Sequence, residues 1–148
     1  MLTSPKRCGA HQISDDPLLV CSDSVTPVRS VRDLGIYIDS DLSMSTHVMR
    51  TITSCFAVMR QIRSIRRSVS QPVLCSLVVS LVMTRLDYGS ALLAGLPSNL
   101  LAKMQSVLNA AARLVFSARK CDYVTPLLQE LHWLRAPERI MFRLAVLV

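Results

Sequence analysis

The segment that most restricts the fold lies between Ser70 and Asp87, where an apolar run carries helix signals but no polar face. Ser70 is placed to cap a helix, and Pro72 fits its first turn, where a missing N–H costs nothing. Val73, Leu74, Leu77, Val78, Val79, Leu81, Val82 and Met83 then point in every direction around the axis. A helix apolar all round must be covered on every side, by protein or by lipid. Lipid fails on length. The longest charge-free run, Ser68 to Thr84, falls short of the roughly 20 residues that a bilayer needs, and Pro72 shortens its apolar part. The next run, Tyr88 to Ala102, contains Gly89, Gly95 and Pro97. The expectation is therefore a helix that needs protein on every side, cover that four helices and a hairpin alone are not expected to complete, with no membrane span.

The rest of the chain supplies candidates for that enclosure. Its 148 residues fit one domain, which could bury about two thirds of its unfolded surface. Residues 1–16 are polar and unpatterned and read as a disordered lead-in. Residues 17–40 read as a small β portion. In it, Leu18–Cys21 and Ser24–Thr26 form a hairpin about Ser22-Asp23, and Asp33 to Ile38 form one strand. Gly35 would let another backbone approach that strand closely. Residues 41–148 read as helical. Ser45 or Thr46 caps a first helix running to about Arg63 or Arg67, with Val48, Ile52, Cys55, Met59 and Ile62 in one stripe. Arg66 falls on the apolar side, so the helix should end near it. Ser98 caps a third helix to about Ser117. Leu100, Leu101, Met104, Val107, Leu108, Ala111, Leu114 and Val115 share its inner face, with Lys103, Ser106 and Arg113 pointing away. Thr125-Pro126 and Pro137 open two more helical segments, and the last runs to Val148 without a stop signal. The fold class expected is α+β, mostly α, with a small β-hairpin and strand followed by a bundle of about four helices.

Charge divides the chain unevenly. The net charge is +7, yet no Asp or Glu lies between Leu42 and Leu86, where Arg50, Arg60, Arg63, Arg66, Arg67 and Arg85 fall. Only Lys6, Lys103 and Lys120 of the 17 basic residues are lysine, and guanidinium suits phosphate as well as carboxylate. On the first helix Arg60, Arg63 and Arg67 lie within about 60° of arc beside the apolar stripe. That flank faces either a polyanion or plain solvent. The cysteines Cys8, Cys21, Cys55, Cys75 and Cys121 are odd in number and irregular in spacing, as in a reduced intracellular chain. Cys8-x-x-His11 is half a zinc site without a second pair, so no metal or cofactor is expected.

Four blocks then occur in one order: Val31-Arg-Asp-Leu-Gly-Ile-Tyr-Ile-Asp39, Arg85-Leu-Asp-Tyr-Gly-Ser-Ala-Leu-Leu-Ala-Gly-Leu-Pro97, Leu108-Asn-Ala-Ala-Ala-Arg-Leu114 and Thr125-Pro-Leu-Leu-Gln-Glu-Leu-His-Trp-Leu134. In that order they resemble the carboxy-terminal part of reverse transcriptases from non-LTR (LINE-type) retrotransposons, over roughly Leu18 to Val148. The resemblance implies that Leu34, Gly35, Ile36 and Tyr37 belong to a primer-grip-like strand; an ordinary strand with a tight glycine is the other reading. It implies that the helices from Thr46 onward form a thumb tracking an RNA–DNA or DNA duplex. Arg60, Arg63 and Arg67 would then touch phosphates without choosing sequence. Arg85 and Asp87 read as an ion pair, and Tyr88 as a packed ring at a helix end.

The match begins beyond the place where such polymerases keep their metal-binding carboxylates. Two metal ions about 4 Å apart need carboxylates on a rigid strand pair. The adjacent acids Asp15-Asp16 lack the family's aromatic, are followed by Pro17, and read as a turn. His47 and His132 read as structural or capping residues, and no glycine-rich phosphate loop or nucleophile elbow is present. The chain is thus expected to be a truncated remnant of a reverse transcriptase, not an enzyme, at most binding template–primer nucleic acid. The alternatives are a helical interaction module, docking a second copy or a fuller polymerase chain, and a translated fragment without function.

Overall fold

The computed structural model describes residues 16–148. All of the 1–16 lead-in except Asp16, together with the Cys8-x-x-His11 pair, lies outside the described residues. Two antiparallel hairpins come first: β1 (Leu18–Val20) with β2 (Asp23–Val25), and β3 (Ser30–Asp33) with β4 (Ile36–Asp39). Five helices follow. They are α1 (Ser45–Ile65), α2 (71–87), α3 (Ser98–Phe116), α4 (Thr125–Glu130) and α5 (Ala136–Leu147), with short 3-10 turns at Arg66–Ser68 and Ser90–Leu93.

The second hairpin corrects the single strand expected from Asp33 to Ile38. The register runs from Ser30 opposite Asp39 to Asp33 opposite Ile36, so Leu34 and Gly35 form a two-residue turn. Both have positive φ, 46° and 84°, as a hairpin turn matched to strand twist requires. Glycine adopts this freely, whereas leucine does so only under local constraint. The constraint is visible: the Tyr88 hydroxyl donates to the Leu34 carbonyl. What approaches Gly35 closely is the Tyr88 ring rather than a backbone, since a Cβ at Gly35 would lie 3.4 Å from Tyr88 Cε1.

β4 delivers the cap of α1. Asp39 is buried, and its carboxylate accepts the Thr46 N–H at 3.0 Å and the Ser43 hydroxyl at 3.2 Å. Hydrogen bonds from Thr46, side chain and backbone, hold this carboxyl below the ordinary carboxylate range. The cap expected from Ser45 or Thr46 thus comes instead from the preceding strand, and Met44 turns the chain with φ 56°. The expected stripe Val48, Ile52, Cys55, Met59 and Ile62 is buried throughout, and α1 ends at Ile65, just before Arg66.

α2 departs most from expectation. It spans the expected residues but opens into a π turn at Val79–Met83 between α-helical pieces Gln71–Val78 and Thr84–Asp87. Its cover is incomplete, as expected. Leu74, Val78, Val82, Met83 and Leu86 are buried, while Val73, Val79 and Leu81 are 40% exposed or more. α1 and α3 pack along it and α5 meets its end, which leaves one side uncovered. The π turn explains the burial register. Residue 85 lies seven after Val78, so an unbroken α-helix would turn it to the same inner side. One extra residue in the turn rotates the register by about 100°, bringing Leu86 inward and Arg85 outward.

α3 lies along α1, with the expected inner face buried, Ala112 added and Leu101 only half-buried. Arg113, expected to point away, is half-buried: its Nε has no hydrogen-bond partner, and Nη2 donates to the Asp122 carbonyl at 3.4 Å. The α5 amino terminus is held by the Gln105 side chain, which accepts the Ala136 N–H at 2.8 Å. α5 is then tied to α2 by Asp87, which accepts from Arg139 at 2.5 and 2.7 Å and from Arg143 at 2.7 Å. Asp87 therefore pairs with α5 and not with Arg85, correcting the ion pair expected from the sequence. Among the described residues no helix is long and apolar enough to cross a membrane.

Candidate nucleic-acid interface

Two basic depressions border α1, on opposite flanks of its buried stripe and toward opposite ends of the helix. The first sits where the β3–β4 hairpin leans on α1 and on the end of α2, and encloses about 360 Å³. Its register is set by the hairpin: Arg32 faces Tyr37 across the strands. The Arg32 and Arg50 guanidinium carbons lie 5.7 and 4.4 Å from the Tyr37 ring centre, within cation–π range. Arg50 also approaches the Tyr37 hydroxyl at 3.4 Å. Arg85, turned outward by the π turn, donates to the Ser54 hydroxyl. Tyr88 forms one wall, half-exposed, its inner side against Gly35. The ring expected to pack at this helix end does so against Gly35, yet the residue stays 52% exposed.

Beneath this cleft His47 is buried, and burial pushes its pKa down, so the neutral imidazole is favoured; its hydrogen bond with the Tyr88 backbone works the other way. Next to it, Gly89 has φ 70° and sits against the hairpin: a Cβ there would lie 2.9 Å from Ile36 Cδ1, which would have to shift. Tyr88 and Gly89 therefore fasten the hairpin to the end of α2, through Leu34 and Ile36, while Asp87 beside them holds α5. Cys55 lies deeper. Burial raises its thiol pKa to about 11, against a smaller opposing pull from the Arg85 charge, and the thiol donates weakly to the Val82 carbonyl at 3.7 Å.

The second depression, about 660 Å³, lies at the far end of α1 and is lined by Arg63, Ser64, Arg66, Arg67, Ala118 and Lys120. A smaller apolar-floored one, about 210 Å³, has Arg60 and Arg63 at its edge above Phe56, Met59, Ala110 and Leu114. The three arginines singled out from the sequence, Arg60, Arg63 and Arg67, are exposed on one flank, joined by Lys120 from the loop after α3. Leu34, Gly35, Ile36 and Tyr37 fall at the other end, in the turn and second strand of the hairpin. Arg50 lies between the two groups. The ion pairs found among the described residues are both on Asp87, so neither basic depression has a carboxylate partner. His132 is exposed beyond α4. Among the described residues no three His, Cys, Asp or Glu side chains are grouped to hold a metal.

Sequence reasoning missed Arg32 and Lys120 as companions of these residues, and counted Arg50 and Arg85 in the acid-free stretch without placing them at the hairpin. The signal for Arg32 was the Leu34-Gly35 pair read as a turn, which puts Arg32 opposite Tyr37. Arg85 could not be found that way, because its direction depends on the π turn. Comparison of the chain with protein-family models, with curated proteins and with solved structures finds no match.

Proposed function

We propose that this chain is a non-catalytic nucleic-acid-binding module similar to the primer-grip and thumb region of non-LTR reverse transcriptases, gripping the backbone of a duplex along α1. The observation that carries the reading is the row of Arg60, Arg63 and Arg67, exposed on one flank of that helix without ion-pair partners. Arg60 and Arg67 are separated by a helical path of about 10 Å, at 1.5 Å per residue. That length matches about three base pairs of duplex. Arginines without carboxylate neighbours over such a length lower their mutual repulsion by meeting phosphates. Contacts to phosphate alone confer no base preference. The same reading assigns a reducing, intracellular setting, and it includes no polymerase step.

The test is a titration of the full chain with an RNA–DNA duplex and a plain DNA duplex over a salt series. Three or four phosphate contacts give a log–log slope of about −3, at about −0.9 per contact. Changing Arg60, Arg63 and Arg67 to Ala should flatten the slope and weaken both duplexes alike. An unchanged slope would reduce these arginines to a solvated flank.

A second reading is favoured by the exposed apolar side chains Met141 and Phe142 on α5 with Val73 and Leu81 on α2. Such surface promotes association with a second copy or with a fuller polymerase chain. Sedimentation at increasing concentration separates the readings, because self-association through these residues would be relieved by Phe142→Lys and untouched by the arginine changes.

A further inference from the structure

The geometry points to a second, separate ligand site: the cleft between the β3–β4 hairpin and α1 takes a nucleoside polyphosphate, its phosphates on Arg32, Arg50 and Arg85 and its base against Tyr88. This site is independent of duplex binding along α1 and would stand if that reading failed.

Three observations carry it. The first is convergence. Arg32 comes from β3, Arg50 from α1 and Arg85 from the end of α2, yet all three line one hollow of about 360 Å³. That volume lies within the roughly 300–1,000 Å³ usual for small-ligand pockets. Three positive groups brought together from three elements without a carboxylate repel one another, and a compact multivalent anion relieves the repulsion. A single phosphate would match only part of that charge.

The second is that the guanidinium groups are held in place with donors to spare. Arg32 and Arg50 rest on the Tyr37 ring, and Arg85 is fixed by the Ser54 hydroxyl. Each guanidinium has five N–H donors, so a single anchoring contact leaves several for a ligand. Held side chains lose less entropy on binding than free ones.

The third is the wall. Tyr88 is 52% exposed although its hydroxyl is bound to Leu34 and one side of its ring lies against Gly35. A ring held this way is a platform on which a planar base can stack. The floor is His47, favoured in its neutral form, so it adds neither a positive charge nor a repulsive negative one. The same chemistry, phosphate beside base, could come from a free nucleotide or from one unit of a strand. The hollow is local and small, whereas the open flank of Arg60, Arg63 and Arg67 is what suits a strand, and so the free nucleotide is the assignment.

Calorimetric titration of the full chain with ATP, with tripolyphosphate and with a trinucleotide, at fixed ionic strength, tests the site. ATP should bind, and Arg85→Ala and Arg32→Ala should each weaken it about tenfold, the loss expected for one hydrogen bond to a charged group. Tyr88→Ala should weaken ATP while leaving tripolyphosphate unchanged, and Arg63→Ala should leave both unchanged. The Arg32 guanidinium lies over the Tyr37 ring on the hairpin, away from the α2 end that Arg85 occupies, so its variant keeps the test valid should Arg85→Ala unfold the chain. Loss of ATP binding in Arg63→Ala equal to that in Arg85→Ala would make the effect one of net charge and overturn the site. Arg85-dependent binding of the trinucleotide without binding of ATP would give the cleft to a strand, and would overturn the assignment equally.

Discussion

Two leucines five residues apart on α2 offer a sharp test of how that helix is covered. Leu86 is 2% exposed and Leu81 40% exposed. Truncating Leu86 to Ala removes buried methyl groups and leaves a hole among side chains that relax only in part, a loss of about 2–5 kcal/mol. Truncating Leu81 opens no cavity, because water already borders the site. Roughly three-fifths of a leucine's transfer value of about 1.5–3 kcal/mol is at stake there, giving a loss of about 1 kcal/mol. Both changes install the same helix-favouring residue, so helix propensity cancels between them. Urea unfolding followed by circular dichroism reads the difference directly. With a slope of about 1.5 kcal/mol per molar urea, the two midpoints should separate by about 1 M or more, with slopes unchanged. Equal losses from Leu81→Ala and Leu86→Ala would mean that α2 is enclosed all round, as its composition alone implies. The exposed side seen here would then be covered in solution.

Other consequences are as direct. Burial lowers the His47 pKa, so charging it favours the unfolded chain: its contribution is intact above about pH 6.5 and fades as pH falls below that value. The urea midpoint should therefore drop between pH 7 and pH 5.5, with a slope of at most about 1.4 kcal/mol per unit, and His47→Gln should flatten that drop. Asp39 acts in a lower window, because its carboxyl is held below the ordinary range and its stabilisation is lost only as pH falls through that lowered value. Asp87→Asn should cost about 2 kcal/mol, since Arg139, only 20% exposed, loses its charged partner; a double-mutant cycle with Arg139→Ala measures the coupling. Cys55, with its thiol raised to about 11, should resist iodoacetamide in the native state while exposed Cys121 reacts, as peptide mass spectrometry would show; rapid native labelling of Cys55 would refute the packing around it.

The sequence by itself determined whatever depends on local pattern. The period of Val48, Ile52, Cys55, Met59 and Ile62 fixed the inner face of α1, and the same logic fixed most of α3, because amphipathic spacing has one solution in a helix. Pro72, Pro126 and Pro137 marked three helix starts, since a ring without an N–H fits only there. The absence of acids from Leu42 to Leu86 announced a basic side before any geometry was known. Tertiary structure decided the rest. A run apolar in every direction does not say which side neighbours will cover, and α1 and α3 cover only one side of α2. The π turn at Val79–Met83 carries no local signature, yet it turns Arg85 outward and Leu86 inward. Asp87 could have paired with Arg85, two residues away. Packing α5 against the end of α2 gave it Arg139 and Arg143 instead, from more than fifty residues downstream. Likewise, the cleft of Arg32, Arg50, Arg85 and Tyr88 exists only because a hairpin turn, a helix face and a shifted helix end meet in space. Charge could be counted along the chain, but its convergence required the fold.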